Sequence, residues 1–437
     1  MLQKTIKKFK SLDGFFNEDL SFARLKENQN INFKRLSILG KGNSISFLPY
    51  VKNSNLISLN FKDQIKLNKK KKFIQVNGNI EAYKVHNFLI ENKYFFPSFP
   101  SYPSVTVAAC VANCVHGISP KFGIIKNFIN EIKIYNPNFG YKILSPKKNK
   151  KLFELTIGGM GLTGLILEVN LKIFKLKSAY IKIKENKKFN EFATFYRFLI
   201  KNKNIYNQNN FFLKNNNNFF LARLSSGDFH KKGFKVKKLK DKKIYPLRLG
   251  IFQSSFLKKI LELLILLKEY SFKTKIIHIN EAFYPSNSRL IYFNLMSKKF
   301  IEHQTIIPHK NIEKFFVEFK KLFKKYKPII SLCHVKIFNG KGKYLQFNGK
   351  GMGLSIHFIV NEKFINFYKK FLQLNIKYSC KLNLYKNSLV GINEIKKIYG
   401  NEYFKFAKEI KKLNKNFIFE NRIFNNKSFY KKKNLDK

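Results

Sequence analysis

Apolar positions in the first part of the chain come in short bursts separated by polar turns. Leu36–Leu39 and Leu56–Phe61 have strand length, and Ile65–Leu67 and Phe73–Val76 flank a lysine run like the arms of an exposed hairpin. Ala82, Val85, Phe88 and Leu89 keep helical spacing within Ile80–Lys93. Glu131–Tyr135 and Tyr141–Leu144 flank PNFG, a turn signal, and Leu165–Phe174 alternates as a strand. A Pro-rich turn leads into the small and β-branched residues Val105–Ala109, which predict a further strand; Cys110 and Cys114 flank it as small apolar fillers. Strands with occasional helices predict an α+β domain over residues 1–175.

The texture changes after Leu176. Longer strand-like runs, an Asn stretch (Asn215–Asn218) that reads as a loop, and an apolar helix over Leu257–Leu267 mark a second domain, residues 176–380. Phe315, Phe316, Phe319 and Phe323 keep helical spacing within Ile312–Tyr326. The last segment, residues 381–437, alternates briefly (LNLYKNS) and runs helical through Ile395–Leu413. It then ends in a lysine-rich, frayed terminus.

Composition narrows the functional classes. An apolar share of 44% over 437 residues suits a large folded core and excludes disorder throughout. The formal charge of +59 has two readings, an anionic partner or biased composition. Lysine and asparagine spread along the whole chain, Trp is absent and arginine is scarce. Nucleic-acid readers cluster charge and favour Arg, so composition bias is the stronger reading and no nucleic-acid partner is expected. The surplus would still draw the chain to a peripheral anionic membrane surface, at about 1 kcal/mol per well-placed basic residue. Four cysteines make no disulfide framework in a chain this long, and no zinc spacing is present, so no metal is expected. The N-terminus lacks the apolar core of a signal peptide, and Ile260–Leu267, which includes Glu262, is too short to span a bilayer. These features predict a cytoplasmic chain able to sit against the inner membrane.

Three blocks carry the chemistry. GKGNS (Gly40, Lys41, Gly42, Asn43, Ser44) follows a strand, where glycines let successive N–H groups converge on a phosphate; a plain tight turn is the competing reading. PSFPSYPSVTVAACVANCVHG (Pro97–Gly117) puts small residues where backbone can approach a flat ligand, and His116 beyond them. GGMGLTG (Gly158–Gly164) sets four glycines before a strand. In this order and spacing they resemble the FAD-binding domain of the vanillyl-alcohol-oxidase-type flavoproteins. From Phe73 to Asn170 the likeness is strongest to the decaprenylphosphoryl-ribose oxidase family. FIEHQTIIP, HVKIFNG, GMGLSIHF and KLNLYKNS follow in that family's order.

The resemblance implies a two-subdomain FAD-binding domain of the PCMH type, with a substrate (cap) domain of antiparallel sheet flanked by helices. Gly40–Ser44, Ser101, Thr106, Val107, Ala108, Ala109, Asn113, His116, Gly117, Gly161, Ile166 and Asn383 would then bind FAD. Lys386 matches the family's active-site lysine, against the competing reading of one surface lysine among many. Gln304, His303, Lys336 and Ser355 would meet the substrate, while His334 and His357 would be structural. The departures are Ser101 and Ala108–Ala109 at usual glycines, His303 at a tyrosine, Ser355 at a cysteine, and a segment before GKGNS too short for the usual helix. Asn43 stands where alditol and aldonolactone oxidases carry the histidine that links covalently to flavin, so FAD should be held non-covalently. The implied reaction oxidises a secondary hydroxyl of a sugar, foremost a polyprenyl-phosphate-linked pentose, with a short-chain reductase completing an epimerisation. The alternatives are an alditol or aldonolactone oxidase, a flavoprotein fold retained for binding only, and a non-catalytic basic nucleic-acid-binding protein.

Overall fold

The computed structural model describes residues 3–27, 29, 31, 33–202, 206–213, 220–230, 233–242, 247–254, 256–257, 260, 275–288, 291–414 and 418–425. The expected loop at Asn215–Asn218 and the lysine-rich terminus lie outside these residues, as does the apolar helix over Leu257–Leu267 apart from Leu257 and Ile260.

Alternating lysines and apolar residues begin the chain as an antiparallel hairpin, β1 (Lys4–Lys10) and β2 (Asn17–Leu25). β3 (Leu36–Ile38) and β4 (Asn55–Leu59) join it in parallel, giving the order β1-β2-β4-β3. A hairpin thus stands ahead of GKGNS, where the resemblance leads one to expect a helix. The far edge of β3 is covered by the chain's own tail: Leu36 N–H donates to Ile418 O at 2.6 Å, and Glu420 N–H to Leu36 O at 2.8 Å. Arg35 grips Glu420 with two hydrogen bonds of 2.9 Å each.

A second, wholly antiparallel sheet follows, with β5 (Ile65–Asn68), β6 (Phe73–Asn77), β8 (Ile129–Asn136), β9 (Gly140–Leu144) and β10 (Leu165–Lys172) in the order β5-β6-β10-β8-β9. Its two predicted hairpins form across the lysine run and PNFG. The expected strand to Phe174 breaks at Ile173, and β11 (Phe174–Lys175) pairs instead with β7 (Tyr94–Phe95). Helix α1 (Ala82–Glu91) buries Val85 and Leu89 on this sheet, as their spacing predicts.

One expectation is corrected here. The small-residue block is not a strand but a short helix, α2 (Val107–Ala112). Thr106 supplies the reason: its hydroxyl accepts from Ala109 N–H at 3.3 Å, capping a run in which alanine favours helix. Val107 is therefore buried in the core beneath the helix.

The remaining strands make two more antiparallel sheets. β12 (Tyr180–Phe189), β13 (Tyr206–Leu213), β14 (Phe220–Phe229) and β15 (Lys275–His278) run in the order β13-β14-β12-β15. β16 (Phe300–Pro308), β17 (Ile330–Asn339), β18 (Lys350–Ile359) and β19 (Lys381–Leu382) run β17-β18-β16-β19. The predicted Ile312–Tyr326 helix and a second at Glu362–Lys377 cover one face of this last sheet, with Phe319 and Phe371 rings 5.1 Å apart. Phe315, Phe319, Phe367 and Phe371 are fully buried there, each worth about 1.5–3 kcal/mol of burial. The LNLYKNS alternation yields only β19, and the helix expected over Ile395–Leu413 is two, Ile392–Tyr399 and Asn401–Leu413. Gly400 separates them at φ +49°, a left-handed turn that no continuous helix contains.

Candidate active site

The uncovered face of the β16–β18 sheet looks across a cavity at the GKGNS loop, α2 and the turn that follows it. The cavity holds about 1100 Å³, beyond the roughly 300–1,000 Å³ of most small-molecule sites. One wall is backbone and small side chains. Gly40 lies so close to α2 that a Cβ there would stand 2.8 Å from Thr106 Oγ1 and 3.1 Å from Ala109 Cβ. Gly42 and Gly161 hold positive φ at +76° and +79°. Asn43 donates to Ser104 O at 2.6 Å, and Lys41 pairs with Glu81 at 2.6 Å, which fixes the loop on the start of α1.

The opposite wall is polar, and period-two alternation selects it. On β16, Glu302 and Gln304 face the cavity, whereas His303 between them points into the helices, against Tyr368, Asn375 and the Phe371 ring. His303 is fully buried, so the expected substrate contact at this position is corrected: its neighbours Glu302 and Gln304 hold the face. Ser355 and His357 on β18, and His334 and Lys336 on β17, face the same space.

Two connected networks organise this wall. In the first, Gln304 joins β16 to the turn after α2 through a 2.9 Å contact with His116 Nε2. His116 Nδ1 lies 3.1 Å from Gly117 O, so the ring donates there and accepts at Nε2 from the Gln304 amide. Asn383, just after β19, donates to Gln304 Oε1. In the second, Glu302 accepts from Ser355 Oγ at 2.9 Å and pairs with Lys386 Nζ at 3.1 Å. His357 Nε2 stands 3.6 Å from the same carboxylate.

Burial acts on each group in turn. It would raise the Glu302 carboxyl, but the Lys386 charge, His357 and the hydrogen bonds from Lys386 and Ser355 outweigh it and hold the group down at about 2. Burial pushes His357 to about 4 despite the carboxylate beside it, so the charged pair is Glu302–Lys386, and His357 is a neutral neighbour. Burial, with Lys336 nearby, takes His116 to about 3. Lys336, whose Nζ donates to Gly117 O at 2.6 Å, is lowered by burial to about 7.

The sequence-derived residues Gly40–Ser44, Ser101, Thr106, Ala108, Ala109, Asn113, His116, Gly117, Gly161, Ile166, Gln304, Lys336, Ser355, Asn383 and Lys386 all line this cavity. Val107 and His303 do not. Glu302 and Tyr385 were not singled out from the sequence. Strand alternation from Gln304 signals Glu302, but Tyr385, whose hydroxyl donates to Gly158 O at 2.9 Å, has no local signature. Ser46 Oγ donates to Tyr385 O at 2.8 Å, tying the segment bearing Lys386 to the chain just after GKGNS.

A flat ring system with a pyrophosphate fits this geometry: glycine backbone lies at one end, Ala108, Ala109 and Ala112 line the wall, and polar side chains stand opposite. Comparison with known proteins agrees. The family described as FAD binding domain matches residues 29–138, and FAD is the cofactor of this chain. D-arabinono-1,4-lactone oxidase of Candida glabrata is 25% identical over 114 residues, covering 25% of this chain and 22% of that protein. A putative D-arabinono-1,4-lactone oxidase of Neurospora crassa is 27% identical over 140 residues, covering 32% of this chain and 25% of that protein. The aligned part of the chain thus spans about a quarter of the length of these curated relatives. Among the described residues no helix is long and apolar enough to cross a membrane, and no group of three His, Cys, Asp or Glu could hold a metal ion.

Proposed function

We propose that the chain is an FAD-dependent oxidoreductase that converts a secondary hydroxyl of a sugar to a ketone. The observation that carries this reading is the pairing of a small-residue wall, suited to the flavin, with the Glu302–Lys386 and Gln304–His116 networks opposite it. Bound FAD supplies a two-electron acceptor for the hydrogen on the reacting carbon. The chain's own part is to orient the sugar: Lys386 donates to a hydroxyl oxygen, Glu302 and Ser355, whose own proton goes to Glu302, accept from hydroxyls, and Gln304 fixes the edge that His116 holds. Lys386 is the residue assigned to the reacting oxygen, where a cation stabilises charge as the O–H bond breaks. Asn43 leaves the cofactor non-covalently bound.

Two finer substrates follow from different observations. The motif order favours a polyprenyl-phosphate-linked pentose, presented at a membrane surface and handed on to a short-chain reductase. The relatives' names favour a free sugar lactone. Anaerobic mixing separates them through bleaching of the oxidised flavin absorbance. Bleaching by detergent-dispersed prenyl-phosphate pentose alone supports the first, and bleaching by free lactone or alditol alone supports the second. Absence of bleaching by every sugar would sink the assignment. Lys386→Ala should keep flavin bound yet slow bleaching about a hundredfold or more, whereas Lys370→Ala on an exposed helix face should match wild type.

A further inference from the structure

Two lysines face the reacting end of the cavity in unlike surroundings. Lys386 is 36% exposed and salt-bridged to Glu302. Lys336, on β17, is 9% exposed, and among the described residues no carboxylate lies within ion-pair distance of it. Its partners are the Gly117 carbonyl at 2.6 Å and the Phe338 ring at 5.0 Å. Both favour an ammonium modestly, but neither brings a formal counter-charge. An amine that gives one N–H to a carbonyl keeps its lone pair for the cavity.

Other titratable groups face this space from the surrounding elements: His116 from the turn after α2, Glu302 from β16, His357 from β18 with the Tyr292 hydroxyl against it, His334 on the strand of Lys336, and Tyr385 and Lys386 from the tail. His116 has both ring nitrogens engaged, one toward Gly117 O and one toward Gln304. The Glu302 carboxylate already accepts from Ser355 and Lys386.

We infer that Lys336 is the proton acceptor of the oxidation, its neutral amine removing the hydroxyl proton as the carbon hydrogen leaves. This rests on the sugar-oxidising reading above. In the step, the O–H bond breaks and its proton passes to Nζ. The C–H bond breaks with its electron pair, which reduces the FAD. The oxygen's electrons form the C=O bond, and the ammonium of Lys336 releases its proton to water before the next turnover. Lowered to about 7 by burial, Lys336 is matched to neutral pH, where a general base is most effective.

The test compares wild type with Lys336→Met and Lys336→Arg, each first shown to hold flavin at the wild-type ratio. The wild-type rate of anaerobic flavin bleaching should rise with pH through about 7, as the amine loses its proton. Both variants should be slower by about 100-fold or more and lack that limb, because Met has no lone pair of this kind and Arg keeps its proton. Arginine retaining most of the rate would overturn the proposal and make Lys336 a cationic contact. A limb near 7 persisting in either variant would also overturn it. A second readout needs no substrate: the resting flavin spectrum, titrated from pH 5.5 to 8.5, should shift with a midpoint near 7 in wild type and not in Lys336→Met. If no sugar bleaches wild type while that spectral titration behaves as expected, the substrate reading has failed and the neutral lysine stands. A wild-type spectrum without the shift counts against the neutral lysine itself.

Discussion

Asn43 donates its amide to the Ser104 carbonyl and offers no nucleophile to the cofactor. The thiols nearest the same wall are equally unfit: burial pushes Cys110 far up and Cys114 up to about 12, so neither becomes a thiolate at neutral pH. Acid precipitation of the purified protein should therefore leave every flavin in the supernatant, read by its absorbance. Yellow colour in the pellet would point to another attachment residue, with His116 the first suspect on the cavity wall. Single residues were legible in the sequence where backbone dictates them. Gly40, Gly42 and Gly161 are glycines because loop packing or positive φ requires it. Side-chain direction was less legible. His303 reads as a site residue in a motif, yet one step along a strand turns it to the opposite face, and only the neighbouring helices reveal which face is buried.

At the scale of elements, the junction of β6, β10 and α2 decides whether the flavin wall exists. Gly78 N–H donates to Leu167 O at 2.6 Å, and Gly78 O accepts from Ala108 N–H at 2.9 Å, so one residue joins a strand to the start of the helix. A Cβ at Gly78 would lie 2.1 Å from Ile166 O, a clash with backbone that no side chain can relieve. Gly78→Ala should cost about 1–3 kcal/mol and lower flavin occupancy, measured as melting temperature and the flavin-to-protein absorbance ratio. Gly349→Ala, where a Cβ would meet only ordinary contacts from 3.7 Å outward, is the control. Equal occupancy in both variants would show that the wall tolerates a shifted α2. The strand expected at Val105–Ala109 failed for a comparable reason. Val105, Thr106 and Val107 supply β propensity, but the Thr106 cap and the alanines after it decide the local outcome.

Among the described residues, five histidines share one electrostatic condition. Burial lowers His86, His303 and His357 to about 4, His116 to about 3, and His278 below its ordinary value. Each folded-state value lies below the ordinary value of about 6.5, so the unfolded chain binds more protons in between. Their contribution is fully present above about pH 6.5 and is lost as pH falls toward about 4, at about 1.4 kcal/mol per unit for each histidine. Glu302 adds a further loss only lower down, between the ordinary carboxyl range and about 2. The melting temperature should fall modestly from pH 8 to 7, as Lys336 takes up its proton, and then more steeply between about pH 6.5 and 5. A flat curve down to pH 5 would show that these rings ionise freely inside the fold. The site as a whole was partly readable, because three glycine-rich or small-residue blocks are local in sequence. The cavity itself was not, since β16, β17, β18 and the tail come together only through long-range pairing.

That long-range pairing orders events in time. β3, which delivers the GKGNS loop, is bordered by residues 418–420, and Ser46 rests on Tyr385. Synthesis proceeds from the N-terminus at about 5–20 residues per second, so a nascent chain exposes its glycine loop for tens of seconds before those partners leave the ribosome. Throughout that interval the loop lacks the strand edge and the hydroxyl anchor that hold its shape. FAD capture by the fully formed loop must therefore follow the emergence of Tyr385 and residues 418–420, so flavin supplied at that later moment counts for more than flavin present while the loop itself is being made.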